Sequence, residues 1–505
     1  MGTAGRELRL SAGRRRSPTL AVLLTAVVVS AVAARVVPAL REPLWLDEVV
    51  SVRIITQPTT GAAVTQVRRT ESSPPGWHLL NWAVWRIAGK PTHVERLRLL
   101  SVAFGGLLAA LVVLYGFSLG LSRAGAATAG TLAALGPNVV AHGGELRPYA
   151  LLTLLALVLA MLLERAAASP TPVRLAGLAL VVAAGSYTHY FFLLCVATVL
   201  GWSLWRLRGR DRRLVVMALA AGLVPFLVWL PAFRFQYRHN LYAYNGSFDL
   251  RAVAYAYARI IGLLGQTGAL PALVRLLFAA VVVTGAAVLL RRRGGELAGL
   301  LTVAPVALTA AVWLVGPHIF NERNLLVSAP FAAVSVGMLV TRLPRPASPA
   351  LVAALAVVVG VSLWQFEVDY GRSSYDGIAN ALVAAGWQPT DVIAQFGPAP
   401  LGLSQPVGWY LPGHPVLVRS RPRACGRLFA VSYDTGAGPR WIGAHRAAGT
   451  VSRLFAAYDH TPRGPAAGTP IFVARVDGGA ATAESAVAAG ARLLRERGSP
   501  QRCPK

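Results

Sequence analysis

Long apolar runs decide what this chain can fold into. A helix needs about 20 mostly apolar residues to cross the hydrocarbon core of a bilayer. The 505-residue sequence offers such runs at about 19–40, 97–120, 124–141, 148–168, 173–190, 190–206, 214–232, 271–290, 296–316, 324–341 and 348–366. These read as about eleven spans. Composition agrees, with 55% of residues hydrophobic and only 14% charged, against about a quarter charged in a soluble protein. The expected fold class is an α-helical polytopic membrane protein.

The net charge is +28. Nucleic-acid binding would fit that balance, but the basic residues are scattered between apolar runs, as cytoplasmic loops facing anionic lipid require. Arg14, Arg15 and Arg16 precede the first run and place the N-terminus inside. The cluster Arg206, Arg208, Arg210, Arg212 and Arg213, the triplet Arg291–Arg293, and Arg342 with Arg345 then all fall inside as well. The expected order is a cytoplasmic tail over 1–17, a transmembrane module over 18–366 and an extracytoplasmic domain over 367–505, in a cell membrane crossed many times. The C-terminal region shows strand-like runs at 391–396, 428–432 and 470–476 and helical patterns at 374–385 and 483–495, which suits a small α/β domain. The first external loop, 41–96, contains an aromatic stretch at 77–85 too short to span, and an interfacial helix fits it. Of the three cysteines, Cys195 lies in an apolar run, and a disulfide between Cys425 and Cys503 stays open.

Ionisable groups at membrane level are costly and mark function by default. On this topology Glu42, Asp47, Glu48, Glu71, Glu95, Glu145, Asp249 and Glu322 are external, several at span ends. The sharpest element is Trp45-Leu46-Asp47-Glu48. Adjacent carboxylates repel, so at least one is expected to carry a raised pKa or a cationic partner, and one of them can serve as a general base. The plainer reading is an acidic pair at the start of the next helix. Ser72-Ser73-Pro74-Pro75-Gly76-Trp77-His78 sets an extended entry to the interfacial helix, with His78 near an acceptor or fixing the loop. In His142-Gly143-Gly144-Glu145-Leu146-Arg147-Pro148-Tyr149, Arg147 is a candidate phosphate ligand and Glu145 its orienting partner, with His142 beside them; a local ion pair and an interfacial tyrosine would explain the same residues. His189, within Tyr187-Thr188-His189-Tyr190, suits a sugar or phosphate contact or simple interfacial packing. Arg323, with Glu322 to hold it, is a second phosphate candidate, or the two form a headgroup anchor.

These elements in this order resemble the glycosyltransferase C superfamily, and within it the family 39-like protein-mannosyltransferase and aminoarabinose-transferase group. The resemblance covers roughly 18–345. It rests on the Asp47-Glu48 pair, Pro74-Pro75, the run Arg147-Pro148-Tyr149-Ala150-Leu151, the segment around His189, and Glu322-Arg323. It implies an inverting enzyme that moves a single sugar, mannose or arabinose, from a polyprenyl phosphate to an extracytoplasmic hydroxyl. Asp47 would be the general base, with Glu48 beside it at the catalytic position. Arg147 and Arg323 would face the leaving phosphate, with Arg53 and His189 behind them and Tyr149, Glu145 and Glu322 completing the donor site. No cofactor is implied, although Asp47 and Glu48 are where a divalent cation would bind. No segment is identified with the acceptor-binding features of protein mannosyltransferases, so protein, glycolipid and envelope glycan all remain open as acceptors. Two other classes compete. A lipid-linked glycan flippase would line a path through the membrane with its charges, and a non-catalytic relative would bind lipid phosphate alone.

Overall fold

A computed structural model describes residues 18–239, 248–263, 269–316, 319–344, 347–369, 375–396, 404–419, 427–432, 437–448, 451–458, 470–476 and 480–497. Cys425 and Cys503 lie outside them.

The chain begins with a long apolar helix, α1 (Pro18–Arg41). Three helices follow in the expected loop: α2 (Leu46–Ile55), α3 (Thr60–Thr70) and α4 (Gly76–Ile87), the last over the aromatic stretch read as interfacial. The helix bundle continues with α5 (Arg98–Ser118), α6 (Arg123–Leu135), α7 (Pro137–Gly143), α8 (Tyr149–Ala168), α9 (Pro172–Thr188), α10 (Phe192–Arg206) and α11 (Gly209–Arg238). Two short helices, α12 (Leu250–Ala254) and α13 (Ala256–Ile261), lead to α14 (Ala269–Leu290), α15 (Glu296–Val315), α16 (Ala329–Arg342) and α17 (Ala347–Asp369).

Among the described residues, eight helices are long and apolar enough to cross a membrane. The other three expected spans are shorter. The run at 124–141 is broken, because Gly136 ends α6 and Pro137 opens α7, the first-turn position a proline suits. The double run over 173–206 divides at the extended His189 into α9 of 17 and α10 of 15 residues. At 1.5 Å per residue, roughly 22 to 26 Å, these fall just short of a full hydrocarbon core. The span that ends in α16 is 83% buried against 17% for α1 and α17, so it forms the centre of the bundle and they lie at its edge. Small residues allow this packing: a Cβ on Gly125 or Gly337 would collide with the other glycine's backbone carbonyl.

Arg35 in α1 is wholly buried. It donates to the carbonyls of Ala31 (2.8 Å), Ala134 (2.7 Å), Ala133 (3.4 Å) and Val139 (3.1 Å), and so caps the break between α6 and α7. Glycines leave it room, since a Cβ on Gly105 or Gly143 would lie 2.8 or 2.7 Å from its Nε.

The C-terminal region contains α18 (Tyr375–Ala384), β1 (Val392–Phe396), α19 (Ser404–Tyr410), β2 (Leu417–Arg419), β3 (Leu428–Ser432), α20 (Ala437–Ala447), β4 (Val451–Tyr458), β5 (Pro470–Val476), α21 (Ala480–Ala488) and β6 (Arg492–Glu496). They build one six-stranded sheet in the order β2-β6-β1-β3-β5-β4. β1 and β3 are parallel and the remaining pairs antiparallel. The three expected strands are β1, β3 and β5. The helix expected at 483–495 is corrected: α21 stops at Ala488, Gly490 turns the chain at φ +92°, and the rest enters the sheet between β1 and β2.

Candidate active site

The two acidic neighbours of α2 have different surroundings. Glu48 is fully buried and accepts from Arg98 Nε (2.7 Å), Arg98 Nη2 (2.5 Å) and the Leu146 amide (2.7 Å). Arg98 also donates to the carbonyls of Ala39 (3.2 Å), Glu42 (2.7 Å) and Pro43 (3.0 Å). This cluster ties the end of α1, the start of α2, the start of α5 and the loop before α8 together. Asp47 points elsewhere. Its Oδ2 lies 2.8 Å from Arg323 Nη1, at the surface of an open cavity.

That cavity measures about 700 Å³ with its mouth included, and its wall includes Asp47, Glu71, Arg147, Tyr149, His189 and Arg323. Five separate stretches of the chain therefore meet at one end of the bundle. At the opposite end Arg206 approaches Glu296 (3.6 Å) and Ser122 approaches Thr341 (3.3 Å).

Arg147 is held by Glu71, the role expected of Glu145. Its Nη1 and Nη2 lie 2.7 and 3.0 Å from the two Glu71 oxygens, and Nη1 also donates to Ser51 Oγ (3.0 Å) and the Asp47 carbonyl (3.2 Å). Burial alone would raise the Glu71 pKa, but Arg147 and His78 outweigh it and hold the carboxyl well below its usual range. Burial likewise works against the charge on Arg147, and Glu71 with Asp47 reverses the effect, so this arginine stays charged. Glu145 faces His142 Nδ1 at 3.3 Å, and the His142 ring meets Tyr149 edge-on at 5.3 Å. His78 lies behind the cavity, 3.6 Å from Glu71 and 3.3 Å from Ser51.

Arg323 pairs with Asp47, the role expected of Glu322. It lies 5.7 Å above the Trp45 ring and its pKa is raised, with Tyr149 and Asp47 outweighing burial. His189 is buried and lowered to about 3, first by burial and then by Arg147 and Arg323. It offers a neutral ring, where a cation was expected, and its Nδ1 accepts from the Phe191 amide (3.3 Å). Arg53 faces the C-terminal sheet domain instead, donating to the Pro415 carbonyl (3.1 Å) with Trp409 6.0 Å away. The described wall of the cavity does not include Glu48, Arg53, His78, His142, Glu145 or Glu322.

Among the described residues no group of three or more His, Cys, Asp or Glu side chains is arranged to hold a metal ion. The cation considered for Asp47 and Glu48 finds no support, because each carboxylate turns to a different arginine. Sequence reasoning missed Glu71 as an arginine partner, Arg98 and Gln236. Gln236 in α11 donates to the carbonyls of Val67 (3.1 Å) and Ser73 (3.3 Å) and accepts from Tyr190 (2.5 Å), bracing the cavity wall. Glu71 had one signal, a lone acid directly before the proline-rich turn.

The sheet domain reaches this site. Tyr410 Oη accepts from the Leu44 amide at 2.5 Å, and Trp45 packs against the domain's core. With Arg53 on Pro415, both ends of α2 rest on residues 409–415.

No family model matches the sequence, and no curated protein matches it. Solved structures do. ArnT from Cupriavidus metallidurans in its apo state is 13% identical and aligns over 90% of this chain and 97% of its own, with a TM-score of 0.55. The same protein bound to undecaprenyl phosphate is 14% identical over 90% and 98%, with a TM-score of 0.52. A mycobacterial arabinofuranosyltransferase, AftD, is 14% identical over 92% of this chain and 41% of its own, but its TM-score of 0.39 carries no argument. The chain shares the fold of ArnT along nearly the whole length of both chains.

Proposed function

We propose that this protein is a membrane glycosyltransferase that moves one sugar, with mannose the first candidate and arabinose the second, from a polyprenyl phosphate to a hydroxyl of an envelope glycan, glycolipid or protein. The observation that carries the reading is the convergence of a partly exposed carboxylate, Asp47, and two arginines on one cavity at the end of an apolar bundle. The undecaprenyl phosphate bound by ArnT supports the donor class.

In this reading Asp47 takes the proton of the acceptor hydroxyl as its oxygen attacks the anomeric carbon. The bond from that carbon to the phosphate oxygen breaks on the opposite face, which inverts the centre, and the electron pair leaves with the lipid phosphate. Arg323, supported by Arg147, stabilises that charge. Tyr149 and the neutral His189 hydrogen-bond the sugar or phosphate. Glu48 positions α2 from behind. Gathering of the charged residues at one end of the bundle favours an enzyme over a flippase, whose charges would follow a path across it. The active site faces the extracytoplasmic side, with the sheet domain above it.

The test is transfer by the purified protein from polyprenyl-phosphate mannose and arabinose to mixed acceptors. Asp47→Asn is expected to lower the rate by about 10²- to 10⁴-fold, and transfer at the native rate would end the assignment. Labelling a cysteine at position 47 (Asp47→Cys) from the cytoplasmic side alone would overturn the orientation.

A further inference from the structure

The two arginines of the cavity are not equivalent. Arg147 is only 7% exposed, and both its terminal nitrogens are committed to Glu71, with Ser51 and the Asp47 carbonyl adding to the grip. Removing it from Glu71 would leave a buried carboxylate without its cation, which is strongly unfavourable. Arg323 is 20% exposed and its ion pair is with Asp47, itself 23% exposed. A partly exposed pair with a single contact is held less firmly than the buried, doubly bonded Arg147–Glu71 pair, so it is the one that yields to a better partner. Arg323 also lies over the Trp45 ring, a platform that keeps a guanidinium in place while its hydrogen bonds change.

An anion that enters the cavity therefore finds Arg147 fixed and Arg323 exchangeable. Asp47 is poorly set to take a proton while it holds Arg323, because the Oδ2 that would meet the acceptor hydroxyl is the atom 2.8 Å from the arginine. We propose that the donor phosphate and Asp47 compete for Arg323, so that donor binding displaces Asp47 from the arginine and frees it to act as the base. This rests on the glycosyltransferase reading and adds an order to it: the donor binds first, and the acceptor hydroxyl meets a competent base only afterwards. One arginine thus serves the base in the empty enzyme and the leaving group in the loaded one.

The experiment is a binding measurement with sugarless short-chain polyprenyl phosphate and the full-length protein, so it requires no turnover. Asp47→Asn removes the competitor and is expected to tighten binding by about tenfold, whereas Arg323→Gln weakens it. In the double variant the gain from Asp47→Asn is expected to vanish, the mark of two residues acting through each other. If the gain persists without Arg323, Asp47 acts only by repelling the phosphate and the exchange is wrong. An Asp47→Asn variant that binds no tighter than the native protein is equally fatal. Arg323→Lys keeps the charge and is expected to retain part of the gain, which separates the exchange from misfolding. Inorganic phosphate is the second probe, and equal affinity for it would assign the site to a soluble anion. Absence of polyprenyl-phosphate binding in every variant would remove the donor reading itself, whereas binding without coupling removes only the exchange.

Discussion

Glu48 and Arg98 form a doubly hydrogen-bonded ion pair, at 2.7 and 2.5 Å, in which both side chains are wholly shielded from solvent. It stands one residue from the partly exposed pair of Asp47 and Arg323, so neighbouring acids in one helix meet different conditions. The buried pair holds the helix, and the partly exposed one faces the cavity.

Glu48→Gln leaves Arg98 charged and buried with half its partner gone. Breaking a buried pair in this way costs about 3–5 kcal/mol. The expected outcome is a markedly lower melting temperature in detergent, beyond that of Asp47→Asn, whose pair is partly exposed. Replacing both members, as Glu48→Gln with Arg98→Met, is expected to cost less than the two single changes added. Strict additivity would show that the pair does not couple α2 to α5.

Stability is expected to fall with acid. The folded pKa of His189, about 3, lies below its ordinary 6.5, and that of Glu71 lies below its ordinary 4.5. Between the folded and ordinary values the unfolded chain binds the proton and the folded chain does not. The contribution of His189 is therefore complete above pH 6.5 and is lost as the pH falls toward 3; that of Glu71 is complete above 4.5 and lost below it. Each group adds up to about 1.4 kcal/mol per pH unit within its window. Thermal unfolding from pH 7.5 to 4 checks this, and His189→Gln is expected to flatten the slope between 6.5 and 4. An unchanged slope would place the imidazole in solvent.

Tyr410→Phe removes one oxygen from the contact between the sheet domain and α2. It strands the Leu44 amide beside the helix that carries Asp47, at a cost of about 1–3 kcal/mol. The expected result is a slower transfer rate with binding of polyprenyl phosphate nearly unchanged, because the cavity arginines are untouched. If rate and stability both match the native protein, the domain does not steady α2.

The membrane character of the chain was legible because apolar length is a direct requirement of the bilayer, and four sequence segments were enough to name Asp47, Arg147, Tyr149, His189 and Arg323, which meet in the cavity. Their partners were not legible. Local reasoning paired Arg147 with Glu145 and Arg323 with Glu322, but these ion pairs are set by the path of the chain between helices, which brings Glu71 back under Arg147 and carries Arg323 to Asp47. The break at Gly136 also escaped, since one residue hardly alters an apolar average. At 492–496 the residues Arg-Leu-Leu-Arg-Glu favour a helix, and pairing with β1 and β2 overrides that preference.

Arg35 has a consequence for how the protein is made. It lies roughly 9 Å from the end of α1, at 1.5 Å per residue. A guanidinium is costly to insert in the hydrocarbon, up to about 2.5–3.5 kcal/mol at the centre of a helix and less nearer its end. The carbonyl at Ala134 that receives it is 99 residues downstream, so when α1 is made only the Ala31 carbonyl of its own helix is there to accept from the arginine. Completion of the first span is thus an event of chain assembly, reached only when α6 and α7 arrive and their break closes around the arginine.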